Sequence, residues 1–158
     1  MKAAVETADG VFELDLDVEE LLDFTADERL ERPPAPKLSL PLVVAVAAVG
    51  APVVAIVDRR PPLAVSHDAG GTWREKGGGL PRGVAVAIDE DDPDIVLYAA
   101  RNRLFISKDG GRFWRAIAVE LPEIRAAMRP IYVRKGILPQ MAAGLSDTAA
   151  LSVPPERQ

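Results

Sequence analysis

The chain has 158 residues, 48% of them hydrophobic, and no Cys, which is the length of one domain and excludes disulfides and thiolate-held metals. Its net charge of −5 is uneven: residues 1–31 carry 2 basic and 11 acidic groups, net −9, and the remainder carries 17 basic and 13 acidic, net +4. A chain of this sign is a poor general nucleic-acid binder, and its acidic arm reads first as a solvated segment, second as a contact for the basic body in the same chain or a neighbour.

The first 16 residues are acidic and lack an apolar core, so no signal peptide is expected. With no Cys, that places the chain in the cytoplasm. Phe12, Leu14 and Leu16 alternate with acids, as in a half-buried strand. Asp17 and Glu20 then form an N-cap signature, with Val18, Leu21 and Leu22 on one helical face, and Thr25 with Glu28 offers a second capping box. The pattern predicts a short helical segment. Pro33, Pro34 and Pro36 end it in a stiff linker.

Residues 38–57 form a 20-residue run without charge, followed by Arg59-Arg60, so a membrane span has to be weighed. Pro41, Gly50 and Pro52 interrupt it. The run also aligns with a later segment whose turn is Asp89-Glu90-Asp91-Asp92-Pro93, which no span tolerates. A buried hairpin is the expectation, and a membrane tether the minor alternative. The all-apolar strands suggest that both faces are covered.

The centre of the chain is a repeat. Ser66-His67-Asp68-Ala69-Gly70-Gly71-Thr72-Trp73 returns as Ser107-Lys108-Asp109-Gly110-Gly111-Arg112-Phe113-Trp114, 41 residues later. Upstream, Val65 matches Ile106, Leu63 matches Leu104, Ile56 matches Leu97, and Val46-Ala47 match Ala87-Ile88. A period of roughly 40–45 residues is that of a four-stranded propeller blade. Unit one is expected to have strands at 42–48, 53–58, 63–66 and 72–75. Unit two is expected to have them at 84–88, 95–100, 104–107 and 112–117. Within each motif, Asp accepts hydrogen bonds from backbone N–H groups one to three residues on, Gly supplies positive φ, and Trp73 or Trp114 restarts a strand with a ring to bury.

These residues resemble the Asp-box of the bacterial neuraminidase repeat family. Copy one carries Ser66, Asp68, Gly70, Thr72 and Trp73; copy two carries Ser107, Asp109, Gly111, Phe113 and Trp114, with Phe113 in the place of Thr. The resemblance covers about residues 40–118. It implies a mainly β fold of propeller-like four-stranded antiparallel blades, and it implies that the boxes are structural.

After the second copy, Leu121-Pro122 repeats Leu80-Pro81. Residues 124–128 then look like the first strand of a third unit and 131–134 like its second, with no third box. Two clear blades and a partial third do not close a ring of typically 4–8 blades. The strand at 11–16 is expected to pair with the incomplete C-terminal unit, and the chain to self-assemble: a dimer of six blades if the third unit completes, a trimer or tetramer of two-blade chains if not. The chain thus divides into an acidic arm at 1–36 (strand, short helix and Pro-rich linker), a blade domain at 37–138 and an irregular tail at 139–158.

The family includes sialidases, whose chemistry implies an arginine triad, a Tyr/Glu nucleophile pair and an Asp acid/base. Arg82, Arg101, Arg103 and Arg125 are candidates for a basic ligand-binding cluster, and Tyr98 and Tyr132 are the only tyrosines. None stands in a catalytic motif. The carboxylates at 89–94 read better as a hairpin turn than as an acid/base pair. His67, the sole histidine, sits at a variable position of an exposed hairpin, so a Ser/His/Asp reading fails on Lys108 of the second copy. Gly77-Gly78-Gly79 lacks the Lys-Ser/Thr of a phosphate loop and reads as a connection between blades. No metal or cofactor is assigned: Ca²⁺ at Asp68 and Asp109 lacks ligands. The family also includes non-catalytic members that bind proteins or peptides. The expected function is therefore a non-catalytic structural or protein-interaction module that binds itself. The alternative is a glycan-binding or sialidase-like protein with a site formed between subunits.

Overall fold

In a computed structural model of the chain, residues 1–30 and 37–131 are described. Twelve strands form three four-stranded antiparallel sheets. The first sheet in chain order of its core strands is blade B: β4 (Val43–Ala48), β5 (Val53–Val57), β6 (Leu63–Ser66) and β7 (Arg74–Lys76). Blade C repeats it with β8 (Ala85–Ile88), β9 (Val96–Ala100), β10 (Arg103–Ser107) and β11 (Arg115–Ala116). Both are meanders, and all eight strands expected from the repeat are present, but the fourth of each unit starts later than expected, at Arg74 and Arg115, so that Trp73 and Trp114 precede their strands. The fold is mainly β, with propeller-like blades.

The third sheet, blade A, is built from both ends of the described chain. Its order is β12 (Ile124–Ile131), β1 (Lys2–Thr7), β2 (Gly10–Asp15) and β3 (Glu20–Ala26). The third unit is therefore complete. It takes one strand from the C-terminal side and three from the arm. The strand that pairs with β12 is β1, Lys2 opposite Ile131 and Thr7 opposite Ile124, rather than the strand expected at 11–16. That strand exists as β2 and sits one place further out. Ile131 ends β12 and does not begin a second strand; 132–134 and the expected tail lie outside the described residues.

No helix follows β2. Residues 16–19 make a turn in which the Asp15 Oδ1 atom accepts the N–H groups of Asp17 and Val18. Glu19 has φ 59°, a left-handed conformation that a right-handed helix cannot propagate through. The apolar spacing of Val18, Leu21 and Leu22 has another cause. The β2–β3 ladder shifts register between Glu13 and Leu14, so Asp23 faces Glu13 and Leu21 faces Leu14, leaving Leu22 as the extra residue of a bulge. Thr25 of the supposed second capping box pairs with Val11 in the ladder.

Blade C lies between the other two, and two apolar clusters hold the stack. One face of blade C (Ala85, Ala87, Leu97, Ala99, Leu104, Ile106) packs with Ala3, Val5, Leu14 and Leu16 of blade A. Its other face (Val86, Ile88, Val96, Tyr98, Ala100) packs with Val54, Ile56, Leu63 and Val65 of blade B. Burial on both faces explains the near-continuous apolar runs of these strands. The run at 38–57 accordingly becomes β4, the turn around Gly50 and β5, and among the described residues no helix is long and apolar enough to cross a membrane. The first strands obey the repeat with a one-residue slip. Ala45 faces Ile56 and Ala87 faces Leu97, an offset of 42 against 41, because the connection through the acidic turn of unit two is one residue shorter than that through the Gly50 turn.

Candidate functional site

The two motif loops share one geometry. In copy one, Ser66 Oγ donates to Asp68 Oδ1 (2.7 Å) and accepts the Gly70 N–H (2.8 Å), while Asp68 Oδ1 accepts the Thr72 N–H (2.8 Å). In copy two, Ser107 Oγ donates to Asp109 Oδ1 (2.8 Å) and accepts the Gly111 N–H (2.9 Å), and Asp109 Oδ1 accepts the N–H groups of Arg112 (3.1 Å) and Phe113 (3.0 Å). The backbone donors lie four residues after Asp68 and three and four after Asp109, where one to three were expected. The N–H of Thr72, then the hydroxyl of Ser66, hold the Asp68 carboxyl down at about 2. The N–H of Phe113, then Ser107, lower that of Asp109. These side chains brace their own loops, and the bonds they accept there favour the ionised form.

The copies differ where their residues differ. The Thr72 hydroxyl gives Asp68 a further bond of 2.8 Å, for which Phe113 has no equivalent, and the Phe113 ring is 76% exposed. The Trp114 Nε1–H donates to the Gly111 carbonyl (2.9 Å) and its ring meets Tyr98 edge-on at 5.8 Å. The Trp73 Nε1 is buried with no partner. His67 is exposed, as expected. The acidic turn is braced in the same way: Asp89 is buried and accepts the N–H groups of Asp91 and Asp92, and the Asp94 carbonyl accepts the Gly110 N–H of the second motif loop (2.9 Å).

Three of the four candidate arginines, Arg82, Arg101 and Arg103, line one groove. A groove of about 490 Å³ is lined by Pro81, Arg82, Val84, Ala100, Arg101, Asn102, Arg103, Phe105, Glu123 and Ile124. Arg82 comes from the β7–β8 connection, Arg101 and Arg103 from the β9–β10 hairpin. Arg125 is next in chain to Ile124 on β12. A smaller cavity of about 90 Å³, lined by Asp58, Arg59, Arg60 and Leu80 among others, shares Arg82 with the groove. Sequence reasoning missed Arg59 and Arg60 as neighbours of the cluster, although an antiparallel meander puts its second hairpin and its exit at one end of the blade. Arg59 pairs with Glu75 (3.0 Å), Arg60 donates to the Leu80 carbonyl (3.4 Å) and Arg82 lies 3.6 Å from Asp58. Arg101 and Arg103 have no ion pair among the described residues, and the Arg103 Nε is buried without an acceptor.

The groove is held rigidly. The Ile124 N–H donates to the Arg101 carbonyl (2.6 Å) and the Leu121 N–H to that of Asn102 (3.2 Å). Arg101 sits at φ 55°, a conformation that costs a non-glycine residue energy. Behind the groove, the Tyr98 hydroxyl donates to the Pro81 carbonyl, and burial pushes its pKa up to about 12. Gly83 lies against that ring: a Cβ there would come within 2.4 Å of Tyr98 Cζ, so only glycine fits. The arrangement can hold anionic groups by charge and apolar groups against Val84, Phe105 and Ile124. Among the described residues, no three His, Cys, Asp or Glu side chains gather as a metal would require.

No family model and no curated protein matches the chain. Among solved structures, it is similar to a GH74 enzyme of Niastella koreensis, at 18% identity and a TM-score of 0.45 over 77% of this chain and 18% of that one. It is also similar to YCF48, in a structure bound to a D1 peptide, at 13% identity and a TM-score of 0.44 over 77% of this chain and 42% of that one. The chain thus spans less than half the length of either.

Proposed function

We propose that the chain is a non-catalytic, Asp-box-type β-propeller module that assembles with itself and serves protein interaction. One observation carries this reading. The polar motif groups brace their own loops, while large apolar side chains stand exposed at the outer edge of blade A: Val18 (60%) in the β2–β3 turn, and Leu21 (49%), Leu22 (45%) and Phe24 (44%) on β3. Apolar side chains clustered on an edge strand mark a surface meant for a partner. Two copies carry six complete blades between them. Sedimentation velocity of the purified chain tests the reading. We expect a discrete oligomer at micromolar concentration, and a compact monomer throughout refutes self-assembly.

A second reading is favoured by the groove itself. Arg82, Arg101 and Arg103 suit a carboxylate-bearing glycan, with Asn102 and Glu123 for its hydroxyls. An array of acidic glycans and a sialoside hydrolysis assay test it. Binding without turnover supports a lectin, turnover an enzyme, and silence on both removes the reading.

A further inference from the structure

We propose that the arginine groove receives the acidic β3 edge of a second copy of this chain. The proposal rests on the self-assembly reading above and names its surfaces.

The groove has the chemistry of a socket. Arg101 and Arg103 form no ion pair among the described residues, the single carboxylate lining the groove, Glu123, faces three arginines there, and the Arg103 Nε is buried without an acceptor. Arg82 has only a distant, solvent-exposed pair with Asp58. Between these cations lie the apolar surfaces of Val84 and Phe105. A ligand that satisfies both must be anionic and apolar along a short length.

Strand β3, Glu20-Leu21-Leu22-Asp23-Phe24-Thr25-Ala26, has that composition. It is the outermost strand of blade A, with one edge of its backbone unpaired, and all seven of its residues are exposed. Neither Glu20 nor Asp23 forms an ion pair among the described residues, and Asp23 accepts only the N–H of Phe24. An edge strand of this kind is a template for docking by backbone and side chain together. The charge split of the chain, net −9 in residues 1–31 and +4 beyond, is the same complementarity at larger scale.

The two surfaces cannot meet within one chain. Ile124, at the start of β12, lines the groove, and β3 is separated from β12 by β1 and β2. Three strand spacings put it about 14 Å away. A second copy must supply the strand, and a two-fold axis lets each copy give one β3 and one groove, which closes a dimer with both surfaces used.

Charge exchange tests this on the full-length chain. Variant one carries Arg101→Glu and Arg103→Glu; variant two carries Glu20→Lys and Asp23→Lys. Sedimentation velocity at moderate salt should show wild-type dimers, and each variant alone should dimerise more than about tenfold more weakly. Mixed in equal amounts, the two should recover the dimer, because each mismatched surface then meets its complement. Circular dichroism of each variant confirms the fold. If either charge reversal unfolds the chain, Arg101→Gln with Arg103→Gln and Glu20→Gln with Asp23→Asn replace them, each again weakening the dimer. A wild-type dimer that the variants leave unchanged overturns the docking and leaves self-assembly standing. Folded variants that are monomeric alone and also monomeric when mixed overturn the pairing of these two surfaces. A wild type that stays monomeric at all concentrations overturns self-assembly itself.

Discussion

Asp68 and Asp109 illustrate how a carboxylate can be conspicuous and still spoken for. Each titrates below the ordinary carboxylate range because two or more donors of its own loop point at it. The sign of the linkage follows. The folded carboxyl of Asp68 titrates at about 2 against 3.8 for the free group, so its stabilisation is full above about pH 4 and lost as the pH falls towards 2. Thermal unfolding of wild type and Asp68→Asn/Asp109→Asn between pH 2 and 5 should therefore differ in slope, steep for wild type and flatter for the variant. Equal slopes contradict the role given to the motif. Arg101 illustrates the reverse, a residue kept where a glycine is easier. Replacing it by Gly should raise stability by about 0.5–1 kcal/mol in denaturant melts while weakening whatever the groove binds; a loss of stability denies that the arginine is there at a cost. At Gly83 the constraint is steric, and Gly83→Ala should destabilise by about 1–3 kcal/mol through overpacking against Tyr98.

At the scale of elements, the arm is tied to the body by carboxylates. Glu19, on the β2–β3 turn, accepts the Ala118 N–H (2.7 Å) and pairs with Arg115 of β11. Glu6, 1% exposed, accepts the Leu30 N–H (2.9 Å) and pairs with Arg29 (3.3 Å), fixing the start of the linker over blade A. The first of these is a contact between acidic arm and basic body within the chain. Glu19→Ala should cost about 1 kcal/mol, read as a shift of the urea midpoint at constant slope; no shift denies the latch. Blades B and C were legible because a repeat is a comparison the chain makes with itself: Ser, Asp, Gly and Trp return in register, and Leu63 and Leu104 with them. Blade A offered no such comparison. Strand β1 has small residues, Ala3 and Ala4, and gives no strong alternation. In β3 the bulge at Leu22 brings two leucines together and counterfeits a helical period, which the left-handed Glu19 then breaks. The convergence of Arg82, Arg101 and Arg103 was legible only as a list of candidates, since their meeting depends on which hairpins share an end of the stack.

For the molecule as a whole, the completed third blade changes what the arm is. Residues 1–30 supply three of the four strands of blade A, and with Ala3, Val5, Leu14 and Leu16 they contribute to the apolar cluster shared with blade C. Deleting the arm therefore opens the core as well as removing an interface, and charge exchange on the surface is the sharper instrument. Three blades also fall short of the four at which rings ordinarily begin, and the exposed β3 edge and the unanswered arginines are both explained if a second copy covers them. On this proposal the chain works as an assembly. Native mass, by sedimentation or mass photometry of the full-length protein, tests it most directly. A dimer at twice the 16.9 kDa chain mass, dissociating as salt screens the contact, is the predicted result, and a well-folded species at the mass of one chain across the concentration range would contradict it.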